Sequence, residues 1–144
     1  MEVEARLIDF EKVERAIANL NDIDKNKVVR EGLKQATDLF IKAGKQNLQS
    51  RMKNKKGDTG NLLKSFRNKV KRNKLGAIAG FNQLGNHSWL IDRGTIERTN
   101  SKGQNRGKII GNKFWDDAIE QNQSTAIERV YSGIERAIIN IMNK

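Results

Sequence analysis

At 144 residues, with 36% apolar and 31% charged side chains, the chain has the length of one domain and the composition of a lean core. It has no cysteine, which excludes disulfides, zinc–thiolate sites and thiol catalysis, and its single histidine leaves histidine-dependent catalysis little room. The net charge of +11 is uneven: residues 1–24 carry −4, residues 25–113 carry +17 and residues 114–144 carry −2, which suits either a polyanionic partner for the middle or complementary faces on successive copies.

In chain order, Phe10, Val13, Ile17 and Leu20 recur at helical spacing, with Asp9 placed to cap a short amphipathic helix. A second helix is expected from a cap at Asp24 to about Met52, its apolar face formed by Val29, Leu33, Ala36, Phe40 and Ala43. The stretch Arg51–Gly57 is basic and aperiodic and reads as a mobile loop. Asp58 or Thr59 can then accept from the free amides of a short helix that turns Leu62, Leu63 and Phe66 inward. Two strands follow, Phe66 to Lys74 and Ala77 to Asn82, joined through Lys74-Leu75-Gly76; the first has Val70 as its only large apolar interior residue and reads as an edge strand. Trp89-Leu90-Ile91 is too short for its period to decide between helix and strand. Thr95–Asn100 and Lys108–Ile110 are expected to pair as strands around an exposed, mobile, glycine-rich arm at 101–107. Ile127, Val130, Ile134, Ala137, Ile138 and Ile141 mark a last helix, with Thr125 and Glu128 spaced as a capping box. The order of elements predicts a single α+β domain over residues 1–144, with long N- and C-terminal helices on one face of a small, largely antiparallel sheet and extended basic loops.

No motif specifies a cofactor, metal or catalytic site. Gly103 to Lys108 lacks the spacing of a phosphate loop and has Ile109 where Ser or Thr is needed. Asp116-Asp117 reads as a favourable charge at the positive end of the last helix rather than as a general acid–base pair. The strongest chemical signal is the run from Arg51 to Lys74, ten Lys and Arg against Asp58 alone, in which only Phe66 is available to stack on a base. That combination disfavours single-strand recognition and leaves sequence-neutral contact with duplex phosphates as one alternative. The start of the chain is acidic where a signal peptide would be basic, and no apolar run approaches the ~20 residues of a membrane span, so no membrane partner is expected.

Three segments, taken in order, resemble a known family. Asp58-Thr59-Gly60-Asn61-Leu62-Leu63-Lys64-Ser65 resembles the "D-T-G-x-L-x-x-S" segment of phage tail-component proteins, the family of head-tail joining and tail-completion subunits. His87 to Thr95 is similar to that family's aromatic, apolar, acidic, Gly-Thr segment, with Asp92 in the acidic place and Gly94-Thr95 intact; Phe114-Trp115-Asp116-Asp117-Ala118 is similar to the segment that opens its last helix. The resemblance implies a non-catalytic subunit that forms a homo-oligomeric ring, expected as a hexamer, at the neck or head-proximal end of the tail. Its partners would be connector or stopper proteins and tail-tube or tail-terminator proteins, in the virion after assembly in the host cytoplasm. The expected subunit interface comprises Thr59, Gly60, Leu62, Trp89, Asp92, Gly94, Thr95, Phe114 and Trp115. Trp89 offers apolar area of the kind that anchors interfaces, or else fills its own core. Arg51, Lys53, Lys55, Lys56, Lys102, Arg106 and Lys108 are the expected basic contacts with a neighbour or with DNA. The alternative is a basic, sequence-neutral DNA-binding accessory protein.

Overall fold

The computed structural model describes residues 11–52, 60–71 and 76–143. Residues 11–18 form helix α1. There follow α2 (Asp22–Arg51), α3 (Asn61–Lys64), β1 (Phe66–Val70), β2 (Ala77–Phe81), a 3-10 turn at Gln83–Gly85, α4 (Ser88–Arg93) and α5 (Phe114–Met142). This is the expected α+β class, with two long helices packing on a two-stranded antiparallel sheet. Asp9 and Phe10, and with them the expected cap of α1, lie outside the described residues.

The described residues fall into two compact units, one drawn from 1–39, 69–78 and 123–144 and the other from 40–68 and 79–122. In the first unit Val13, Val28, Ile134 and Ile138 are buried together, with Ile17, Leu20, Val130 and Ile141 against them. Gly32 of α2 faces α5 so closely that a Cβ would collide with the Val130 carbonyl and lie 2.8 Å from Ile134 Cγ1. A mid-helix glycine costs about 1 kcal/mol relative to alanine, and here the close helix crossing offsets it.

In the second unit Leu48, Leu62, Phe66 and Phe114 form the core, with Ile41, Met52, Leu63, Phe81, Ile91 and Trp115 around them. The β1–β2 register is fixed at both ends of the pair: Asn82 N donates to Ser65 O (2.9 Å) and Lys71 N donates to Gly76 O (2.9 Å). Of β1, only Phe66 is buried and Val70 is half-buried, the edge-strand pattern expected of its charge.

Three local expectations are corrected and one open choice is decided. The α2 cap is Asn21 rather than Asp24: Asn21 Oδ1 accepts from Asp24 N (2.8 Å) and its Nδ2 donates back to the Asp24 carboxylate (3.1 Å). Trp89-Leu90-Ile91, whose length left helix and strand both open, is helical, in α4. Segments 95–100 and 108–110 form no pair of strands: the bridges of this arm are isolated, Gly94 with Ile110 and Thr99 with Asn105, and its exposed residues, Ile96 and Ile110 among them, have no layer to pack against. Finally, α5 begins at Phe114, so Thr125 and Glu128 lie inside it and form no cap; Ile127 is 56% exposed, and Ala126 takes its place on the buried stripe.

Candidate functional site

Of the expected interface residues, Asp92, Phe114 and Trp115 come together in the second unit at the N-terminus of α5. The first amides of a helix have no partner within the helix, and a buried end must find acceptors elsewhere. Phe114 N donates to Asn112 Oδ1 (3.0 Å). Trp115 N and Asp116 N both donate to Asp92 Oδ1, at 2.8 and 3.1 Å. Asp117 N donates to Lys113 O (3.1 Å). All four amides are satisfied, and the carboxylate that holds two of them is 4% exposed and comes from α4. Its negative charge at the positive end of a 29-residue helix adds to the hydrogen bonds. Asp116 and Asp117 lie in the first turn of α5, as their charge suggested.

Backbone contacts hold α4 against the approach to α5. Asn112 N donates to Ile91 O (3.0 Å) and Lys113 N to Asp92 O (2.9 Å). Gly94 ends α4 at φ 81°, in the left-handed region, and a Cβ there would lie 2.6 Å from both Gly111 N and Ile109 O. Only glycine meets both demands. Thr95 then closes the base of the 94–110 arm, its N donating to Ile109 O (2.8 Å) and its Oγ1 accepting from Ile109 N (2.9 Å).

Arg51, the last residue of α2, completes this knot. Its Nη1 donates to Asn112 O (2.8 Å), Lys113 O (3.1 Å) and Asp117 Oδ2 (2.6 Å). Arg51, expected to reach a neighbour or DNA, has its guanidinium held by the chain's own carbonyls and carboxylate. Lys53, Lys55, Lys56 and Thr59 lie outside the described residues. Gly60 opens α3 at φ 70°, and its carbonyl accepts from Lys64 N (3.0 Å).

Burial divides the other expected interface residues. Phe114 is 0% exposed, Leu62 is buried beside it, and Trp115 packs its ring on Phe66 (5.9 Å between centroids) and Phe81 (5.2 Å). The apolar groups of these three and the carboxylate of Asp92 are engaged within the unit. Trp89 is different: it is 60% exposed on α4, so it does not fill the core. A cleft of about 790 Å³ beside the knot is lined mainly by Leu48, Met52, Leu62, Ile91, Ile109 and Ile110, with Arg51 and His87 among its few polar groups.

The sequence did not single out Arg51 or Asn112 as parts of this knot, because a cap supplied from another segment leaves no local pattern. Among the described residues, no helix is long and apolar enough to cross a membrane. Comparison with protein-family models, curated proteins and solved structures finds no match.

Proposed function

We propose that the chain is a non-catalytic structural subunit of a tailed-phage virion, assembling as a closed ring of identical copies, a hexamer, at the neck or head-proximal end of the tail. Its partners in this reading are connector or stopper proteins on one side and tail-tube or tail-terminator proteins on the other. The observation that carries the reading is the convergence of the three resembling segments in one unit. Leu62 and Ser65 of the first are buried there, Asp92 of the second caps the helix opened by Phe114-Trp115 of the third, and Gly94-Thr95 sets the base of the arm.

These motif residues thus have work that is architectural: they fix where α5 starts and how the arm leaves α4. A ring subunit needs a frame of this kind, since each copy must present two different surfaces in constant relation. Trp89 supplies exposed apolar area on the same unit, suited to anchoring a neighbour. The acidic ends and basic middle of the chain favour head-to-tail attraction between copies.

The test is loss of the gene product in the phage to which this reading assigns it. Full heads and tails accumulating unjoined, or tails of irregular length, with rescue by added purified protein, is the expected result. Normal infectious virions lacking the chain would refute it.

A further inference from the structure

The arm that leaves the knot at Gly94 and returns at Ile110 has an ordered backbone and unengaged charges. Arg106 N donates to Arg98 O (2.6 Å), Arg98 N to Gly107 O (3.1 Å) and Asn100 N to Gln104 O (2.9 Å). Asn100 Oδ1 accepts from Lys102 N (3.0 Å) and Gln104 N (2.8 Å), while Asn105 Oδ1 accepts from Gly107 N, so side chains of the arm itself hold the turn. Against this order, Arg98, Lys102, Arg106 and Lys108 are all exposed, and none forms an ion pair among the described residues. Glu97 is the only acidic residue between Thr95 and Ile110.

Arg98 O accepts from Arg106 N while Arg98 N donates to Gly107 O, which sets Arg98 across from the Arg106–Gly107 pair and brings the two arginines to facing positions of the arm. Like charges in such cross-strand positions are destabilising. A hairpin that keeps two arginines close across the turn, with two more cations nearby and Glu97 as its one acidic residue, carries a net positive charge suited to an external anion. The arm carries no aromatic residue on which an unpaired base could stack, which turns the choice from single strands to the duplex backbone. A hairpin turn of this kind is narrow enough to approach a major groove about 12 Å wide, with its cations towards the phosphates of the walls. Asn and Gln at the tip add neutral donors for phosphate oxygens.

We propose that the 94–110 arm is a preformed binding surface for the phosphate backbone of duplex nucleic acid, with Arg98, Lys102, Arg106 and Lys108 as its contacts. The inference does not rest on ring assembly, since the surface belongs to a single chain.

The test compares the full-length protein with two variants of equal charge, R98Q/K102Q/R106Q/K108Q in the arm and K27Q/K34Q/K42Q/K45Q on the exposed face of α2. Binding to two unrelated DNA duplexes is followed by fluorescence anisotropy over a range of salt concentrations. The arm variant should lose about tenfold or more in affinity, and the slope of log affinity against log salt should fall by roughly three to four, while the helix variant stays near the parent. Should the arm variant melt below the parent, R98Q/R106Q, which relieves the cross-strand repulsion, gives the same comparison with about half the change in slope. Equal loss in the arm and helix variants would show that net charge alone acts, and would overturn the proposal. So would tighter binding of a single strand than of the duplex, or displacement of the duplex by polyglutamate at equal charge, which would make an acidic protein surface the better partner.

Discussion

The capping knot and the arm are joined at Gly94, yet they handle polar groups in opposite ways. In the knot, Asp92, Asn112 and Arg51 satisfy the start of α5, and their charges and amides have partners inside the chain. In the arm, backbone and side-chain hydrogen bonds hold the turn while four cations are left to solvent. The difference separates what the residues are for. Groups engaged internally set stability and orientation, whereas charges held in order without partners set what the surface attracts.

That contrast can be broken first in the core beneath the knot. Phe114→Ala should destabilise the protein by about 3–5 kcal/mol, because the fully buried ring leaves a cavity that Phe66 and Phe81 cannot close. Denaturant unfolding measures it, and a loss under about 1 kcal/mol would mean that the ring is not core. Next in size is Asp92→Ala, expected to cost about 2 kcal/mol by leaving two part-buried amides of the helix N-terminus without an acceptor. Asp92→Asn keeps an acceptor oxygen and should retain about half of that. Equal loss in both would assign the effect to charge rather than to capping. Gly94→Ala should cost about 1–3 kcal/mol through its left-handed backbone, with local hydrogen exchange faster at Thr95 and Ile109 as the readout. Smallest is Trp89→Ala, within about 0.5 kcal/mol in the isolated chain. Its effect should appear instead as weakened self-association in sedimentation; unchanged association would remove Trp89 from the interface.

The same contrast explains what was legible in the sequence. Elements whose partners lie within a few residues were readable: the inward turn of Leu62, Leu63 and Phe66, and the charged edge strand β1. The long helix α2 was readable as an element, but of its expected face only Ala36 is buried, Val29, Leu33, Phe40 and Ala43 are half-buried, and the fully buried apolar residues are Val28 and Leu48. Where the decisive partner is distant, local pattern misled. Thr125 and Glu128 have the spacing of a capping box, but the cap of α5 comes from Asp92, 23 residues before Trp115 and invisible to a three-residue rule. Phe114 and Trp89 are both aromatic residues beside apolar ones in sequence, and only packing shows one to be core and the other exposed. The arm's basic character was plain from Lys102, Arg106 and Lys108, but the opposition of Arg98 to Arg106 needed the register.

The measurement that bears most directly on the central claim, a ring of identical subunits at the phage neck, is imaging of intact virions or isolated tails with this chain labelled. The account predicts label confined to the neck or head-proximal tail end, and a density of six-fold rotational symmetry into which the chain fits with Trp89 against a neighbouring copy. Absence of the chain from that region, or its presence there without rotational symmetry, would contradict the account.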